Sequence, residues 1–390
     1  MQPAPIYLDG FATLPLADEA RAAMLAVWEQ PGNAGSPNAS GERAARIIAD
    51  ARADVAALLG AAASEIIFTS GATEANNLAL LGVAAATRSI SSRRRIVVSA
   101  IEHKAVLEPA ATLAAEGFEV TIAPVDAHGR LDLEALATLL DDNVLLVSLM
   151  LVNNETGVIQ PVAEAAALAH GVGAYVHSDA AQAAGKISID VTALDIDYLS
   201  LSAHKCYGPM GVGALYVAAG MPAPAPLMRG GGQQSGIRPG TEPVPLIAGF
   251  GAAARTALNY LAQPGFSGPT ARIDRLLDGL ASRQLRFTRI TGDHAVVPGS
   301  AAIAIDGIDG DSLCAQLARE VSLSTGSACT SGQIRISHVL EAMGFSEEMA
   351  RSVVRIFCDR SLTDAEIDRA TDAIIASTQR SRLATGEVRQ

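Results

Sequence analysis

Apolar positions through the first half of the chain fall into two alternating periods. Short β-like runs at 66–68, 96–98, 120–122, 144–150 and 175–176 take turns with segments at 73–86, 105–116, 131–140 and 162–169 whose apolar residues recur at helical spacing. Two helices precede the series. One spans 16–30, with Asp18 near its start and Pro31-Gly32 ending it; the other spans about 42–59, with Ile47, Ala51, Val55 and Leu58 on one stripe and Gly60 as its stop. Strand and helix taking turns predicts an α/β fold, a mostly parallel sheet covered on both faces. In such sheets the ligand sits at the carboxyl ends of the strands.

Around residues 7–13 the pattern reads as a short extended segment. Residues 32–38 form a loop rich in backbone donors, and residues 213–217 read as a further strand before a Pro/Gly-rich patch and a helix over 244–261. The run Pro264-Gly265-Phe266-Ser267-Gly268-Pro269 marks the exit from a large domain. Beyond it lie shorter elements: helices at 273–280, 311–319 and 364–375, and strands at 301–305 and 353–357. The expected organisation is a large domain over 13–262 and a smaller α/β domain built from 1–12 and 263–390.

Composition narrows the function. A formal net charge of −12 argues against nucleic acid and anionic membrane as partners. The only basic run, Arg93-Arg94-Arg95, precedes an apolar strand and reads as a solvated loop. No run approaches the length of a membrane span, and the first residues lack the pattern of a secretory leader, so a cytoplasmic location is expected. Four cysteines (Cys206, Cys314, Cys329, Cys358) show neither a disulfide framework nor a Cys-x-x-Cys pair. No metal site is expected.

Lysine usage changes the picture more. Of 29 cationic side chains only three are lysine, Lys104, Lys186 and Lys205. Arginine cannot replace an amine that must lose its proton and condense with a carbonyl. Lys205 follows the apolar run 198–202 and precedes a Gly-Pro turn, where a strand end presents an amine. Ser70-Gly71-Ala72-Thr73 follows a strand and opens a helix, which is a cradle for an anion. His177-Ser178-Asp179 places an acid at another strand end. No P-loop and no Gly-x-Gly-x-x-Gly is present: the stretch 180–187 has Ala where a P-loop requires its first Gly, and Ile where it requires Ser or Thr. Amine, phosphate cradle and strand-end acid together are what pyridoxal 5'-phosphate requires.

Four motifs carry a family resemblance over nearly the whole chain: Glu102-His103-Lys104-Ala105-Val106-Leu107, Val152-Asn153-Asn154-Glu155-Thr156-Gly157-Val158, Ser202-Ala203-His204-Lys205 and Ser327-Ala328-Cys329-Thr330-Ser331-Gly332. They resemble the cysteine desulfurases of the class V aminotransferase group, fold type I pyridoxal-phosphate enzymes with a seven-stranded-type sheet and a smaller domain. The resemblance implies that Lys205 forms the Schiff base and shuttles the proton, that His103 stacks on the ring and assists acid–base steps, and that Asp179 pairs with the ring nitrogen. Asn154 and Gln182 would hydrogen-bond near the phenolic oxygen and the substrate carboxylate. Ala72, Thr73, Ser202 and His204 would hold the phosphate, joined by Thr241 from a second subunit, which implies a homodimer with a shared site. Arg355 would clamp the substrate carboxylate. Cys329, in a run of small residues, would take sulfur from L-cysteine as a persulfide, leave L-alanine, and pass the sulfur to a protein acceptor for iron–sulfur cluster, cofactor or tRNA synthesis. Cys314 and Cys358 read as buried, inert thiols.

Several positions depart from the family pattern: Gly10-Phe11, Leu14, Asn38, Gln234-Ser235, Arg335-Ile336 and Phe357-Cys358-Asp359. They leave open a transaminase or selenocysteine lyase, in which Cys329 is dispensable, and a slow sulfur-relay scaffold that depends on a partner.

Overall fold

The computed structural model describes residues 4–263, 268–326 and 336–385; Cys329 and the rest of its motif lie outside the described residues. Seven strands form the main sheet: β2 (Ile66–Thr69), β3 (Arg95–Ser99), β4 (Glu119–Ala123), β5 (Val144–Ser148), β6 (Tyr175–Asp179), β7 (Tyr198–Ser202) and β8 (Gly213–Val217). Their spatial order is β2-β8-β7-β6-β5-β3-β4. Every strand runs the same way except β8, which is antiparallel to both neighbours. The period of two decides the layers. Ile66, Phe68, Val97 and Leu199 join the core under helices Ala39–Leu59 and Val244–Leu261, while Ile67, Ile96, Val98 and Tyr198 join the core on the opposite face. No described helix is long and apolar enough to cross a membrane.

The structure adjusts several sequence expectations. The helix expected over 73–86 begins at Ala72, relaxes into a π turn at Leu78–Gly82 and resumes over Val83–Thr87. Here the Gly82 carbonyl accepts from the Ala225 amide at 2.9 Å, and a Cβ on Gly82 would stand 2.8 Å from Pro224, so the neighbouring loop packs against the helix at this point. The strand read at 175–176 continues to Asp179. Arg95 is not in a solvated loop but opens β3, its guanidinium held by Glu119 at 3.0 Å and Asp141 at 2.6 Å.

A second sheet, β9 (Phe287–Arg289), β10 (Ser300–Ile305) and β12 (Val353–Phe357), is antiparallel in the order β12-β10-β9 and carries its own core with helices Gly268–Ser282 and Asp364–Thr385. Strand β9 went unread because three residues at an edge, two of them exposed, show no period. A parallel pair joins β1 (Ile6–Tyr7) to β11 (Val321–Ser322).

The N-terminal segment links the two cores. After β1, Leu8 enters the smaller core, donates to Ser322 O at 3.0 Å and accepts from Phe357 N at 2.8 Å. The extended segment expected over 7–13 then breaks into a turn, closed by Ala12 N to Asp9 O at 2.9 Å. Phe11 and Leu14 belong to the large core, and Leu14 N donates to His204 O at 3.0 Å. Phe11 meets Phe357 edge to face, ring centres 5.1 Å apart. Gly10 is what lets this pair close, since a Cβ there would stand 2.3 Å from Phe357 Cδ1 and 3.0 Å from Leu14 Cδ2. Gly10→Ala is expected to lower stability by about 1–3 kcal/mol through overpacking. The double variant Gly10→Ala/Phe357→Ala should lose less stability than the summed losses of Gly10→Ala and Phe357→Ala. Denaturant midpoints of the three variants and wild type check this; losses that simply add would remove the contact as the cause.

Candidate active site

The carboxyl ends of β6 and β7, the start of helix Ala72–Asn77 and the 10–12 turn enclose a cavity of about 910 Å³. Lys205 reaches it from the single helical turn Ala203–Lys205 that follows β7. Its amine donates to the Phe11 carbonyl and, at 2.7 Å, to the Ala12 carbonyl. Strand-end placement therefore supplies the position, and the N-terminal turn supplies the acceptors.

Asp179 ends β6 and is 6% exposed. Its carboxylate accepts from Asn76 Nδ2 at 2.7 Å and from Ala181 N at 2.9 Å. Asn76 Oδ1 is buried without a partner among the described residues. Below them the imidazole of His177 bridges Ser148 Oγ (2.8 Å) and Ser200 Oγ (3.0 Å), and burial pushes it down to about 3, so it stays neutral.

His103 caps helix Lys104–Ala115, its Nδ1 accepting from Ala105 N at 3.0 Å. This leaves the imidazole proton on Nε2 in the neutral ring. Burial first, then the cations Lys205 and Lys104, lower its affinity for a second proton against the pull of Asp179. His204 Nδ1 is 3.0 Å from Thr13 Oγ1, and burial together with Lys205 lowers its pKa to about 4. Ser70, Gly71, Ala72, Thr73, Ser202 and His204 all line one end of the cavity. The first amides of the helix that opens there have no partner within the helix. Gly213 allows the close approach, because a Cβ on it would stand 2.6 Å from Gly71 Cα.

Arg355, 6% exposed on β12, lines the opposite end. Its Nη1 donates to Asn154 O at 2.7 Å, and its Nη2 to Asp9 Oδ1 at 3.0 Å and Ser324 Oγ at 2.7 Å. Its Nε–H is buried and unsatisfied among the described residues. Gln182 is buried, with Nε2 donating to Phe11 O at 2.9 Å. The structure thus brings Ala72, Thr73, His103, Asn154, Asp179, Gln182, Ser202, His204, Lys205 and Arg355 to one cavity. Thr241 is exposed and outside it within its own chain.

Sequence reasoning passed over four residues. Glu155 lines the cavity 7% exposed; burial pushes its carboxyl up to about 7 against the opposing pull of Ser337, which donates at 2.5 Å, and of Arg355. Glu102 is fully buried and pushed up to about 8, mainly by desolvation, with Oε1 accepting from Ser99 Oγ and Met150 N, both at 2.7 Å. His338 adds a second imidazole to the wall, its Nε2 2.8 Å from Glu102 O. Lys186 packs beneath Gln182. Lysine scarcity was the available signal for Lys186, and a place inside two of the quoted motifs was the signal for Glu102 and Glu155; nothing local marks His338. The remaining thiols are unreactive, burial pushing Cys206 up to about 11 and Cys314 and Cys358 up to about 12.

Comparison with known proteins agrees with this geometry. The profile of the family Aminotransferase class-V matches residues 6–369. The chain is 40% identical over 383 residues to "Cysteine desulfurase IscS" of Rickettsia bellii, covering 97% of this chain and 92% of the relative. Among solved structures, a "NifS-like protein" superposes with TM-score 0.87 at 35% identity, over 96% of this chain and 100% of that one. "SspA in complex with cysteine" superposes with TM-score 0.79 at 34% identity, over 90% and 98%. A seven-stranded sheet with one reversed strand, a lysine after one strand end sharing a cavity with a buried aspartate at the next, and similarity along almost the full length place this chain in the class-V aminotransferase family, in its IscS/NifS-type branch.

Proposed function

We propose that the protein is a pyridoxal 5'-phosphate-dependent cysteine desulfurase that converts L-cysteine to L-alanine and delivers the sulfur as a persulfide on Cys329. The observation that carries the reading is the cavity itself: an amine at one strand end, a buried carboxylate at the next, and the opening turn of a helix lining the same space. Family membership and the cysteine-bound SspA structure point the same way.

The residues fit the cofactor. The buried Asn76–Asp179 pair offers a carboxylate to a protonated pyridine nitrogen, and the Ala72 and Thr73 amides with the Thr73, Ser202 and His204 side chains offer donors to a phosphate dianion, the Ser70 and Gly71 amides being taken by Glu74 and Thr69. When bound, pyridoxal phosphate supplies an electron sink that weakens bonds at the substrate's α- and β-carbons. The protein supplies the rest. Lys205 Nζ would hold the cofactor covalently and would accept and return a proton at the substrate's α-carbon. His103, which lines the same cavity, would stack on the cofactor ring and assist the acid–base steps. The substrate carboxylate takes the Arg355 Nε–H and competes with Asp9 for the guanidinium. The Cys329 thiolate then attacks the substrate sulfur: an S–S bond forms, the C–S bond breaks, its electron pair stays on carbon, and protonation there yields alanine. Thr241 completes the phosphate site of a second subunit in a cytoplasmic homodimer, and a protein acceptor collects the sulfur. Residues 1–12 with 263–390 form the unit that carries Cys329.

Alanine and sulfide are the products to measure, from L-cysteine with a reductant. Wild type should form both; Cys329→Ala should form neither while keeping the cofactor absorbance, and Lys205→Ala should lose that absorbance's normal form. Equal turnover by wild type and Cys329→Ala would overturn the persulfide mechanism and favour the transaminase or selenocysteine lyase.

Glu155 gives a separate test. Its folded pKa, about 7, lies above the ordinary 4.5, so between these values the unfolded chain releases the proton first. The contribution of this carboxyl to stability is therefore full below about pH 4.5 and is lost as pH rises through about 7. Glu155→Gln keeps a polar partner for Ser337 without the ionisation. In urea unfolding of the cofactor-free proteins, the advantage of Glu155→Gln over wild type should grow across this window to at most about 3 kcal/mol and stay level above it. A pH-independent difference would show that Glu155 titrates normally.

A further inference from the structure

Lys186 is an expensive residue to keep where it stands. It is 4% exposed, on the turn that follows Gln182, and none of its hydrogen-bond partners among the described residues is a carboxylate. Its Nζ donates to Lys205 O at 3.0 Å and to Gln182 Oε1 at 3.2 Å, and lies 5.6 Å from the centre of the Phe357 ring. The position is enforced by packing. Gly185, at φ 72°, lets the turn press onto the reactive segment, since a Cβ there would stand 2.5 Å from Cys206 Sγ. A buried amine with no carboxylate among its described partners is held against a desolvation penalty, which a merely space-filling residue does not incur.

Its partners show what the amine does. An ammonium only donates, so Gln182 must turn Oε1 toward Lys186 and its NH₂ toward the cavity, where Phe11 O takes one hydrogen. The same amine fixes the peptide carbonyl of Lys205 itself. When protonated it is also a cation near enough to lower the proton affinity of His204, and an adjacent cation disfavours protonation of a catalytic lysine. The ionisable groups that act on it are Lys205 and Cys206 from the 203–206 turn; His204 of that turn senses its charge, and β12 presents only the Phe357 ring. Burial and Lys205 together bring its own pKa down to about 7.

We propose that Lys186 is a positioning residue for the Lys205 reaction: it orients the Gln182 amide with its donors toward the cavity, anchors the Lys205 peptide, and keeps the Lys205 nitrogen biased toward its unprotonated form. The proposal rests on the reading of the cavity as a pyridoxal phosphate site.

The test uses cofactor-loaded wild type, Lys186→Met, Lys186→Gln and Lys186→Arg. The visible absorption of the bound cofactor is titrated from mildly acidic to alkaline pH, a range that includes the pH below about 7 at which Lys186 carries its charge, alongside kcat and KM for L-cysteine. Lys186→Met is expected to raise the midpoint at which the Lys205-linked chromophore deprotonates by about one pH unit. It should also lower kcat about tenfold with little change in KM. Lys186→Gln, a smaller change that keeps a donor without the charge, should show the same raised midpoint and stands in if Lys186→Met fails to fold. Lys186→Arg, charged throughout the range, should leave the midpoint at or below that of wild type. A midpoint unchanged in Lys186→Met or Lys186→Gln, or raised equally in Lys186→Arg, would overturn the role of the charge. A wild type that binds no visible cofactor would instead sink the underlying site reading, so the two failures are distinguishable.

Discussion

Two amines in one buried neighbourhood set the terms for the rest of the site. Lys205 and Lys186 share the space between the ends of β6 and β7 and the strand β12, and each opposes the charge of the other. The described hydrogen bonds of both amines go to carbonyl oxygens, of Phe11 and Ala12 for Lys205 and of Lys205 and Gln182 for Lys186. The Phe11 and Ala12 carbonyls are available only because the N-terminal segment turns at 10–12 instead of running on as a strand.

That turn is where the two cores are tied together. Leu8 is bonded to β11 and β12 on one side, Leu14 and Ala17 to the Lys205 turn on the other, and the Phe11–Phe357 contact fills the gap. Arg355 crosses the same seam, reaching Asp9, Ser324 and Asn154 at once. Four of the positions that depart from the family pattern, Gly10, Phe11, Leu14 and Phe357, are thus not scattered changes. They are one packed cluster, in which the missing Cβ of Gly10 is the space that Phe357 occupies.

Much of the architecture was legible because it is local. The two apolar periods fix which face each strand residue takes, and strand ends fix where Lys205 and Asp179 emerge. Lysine scarcity singled out Lys205 before any geometry. What escaped depends on partners far apart in sequence. Glu155 is unusual only because Ser337 lies 182 positions away and water is excluded around both. The turn at 10–12 exists to serve a lysine 194 positions on, and no pattern within the segment records that. Short elements such as β9 and the helices His338–Ala342 and Glu347–Arg351 carry too few residues to express a period.

The central claim is that Lys205, and neither of the other two lysines of the chain, forms the covalent link to a pyridoxal cofactor. Borohydride reduction of the cofactor-loaded protein followed by peptide mass mapping tests it most directly. The account predicts the pyridoxyl adduct on the peptide bearing Lys205 and on no other. An adduct on Lys186 or Lys104, or none at all, would contradict it.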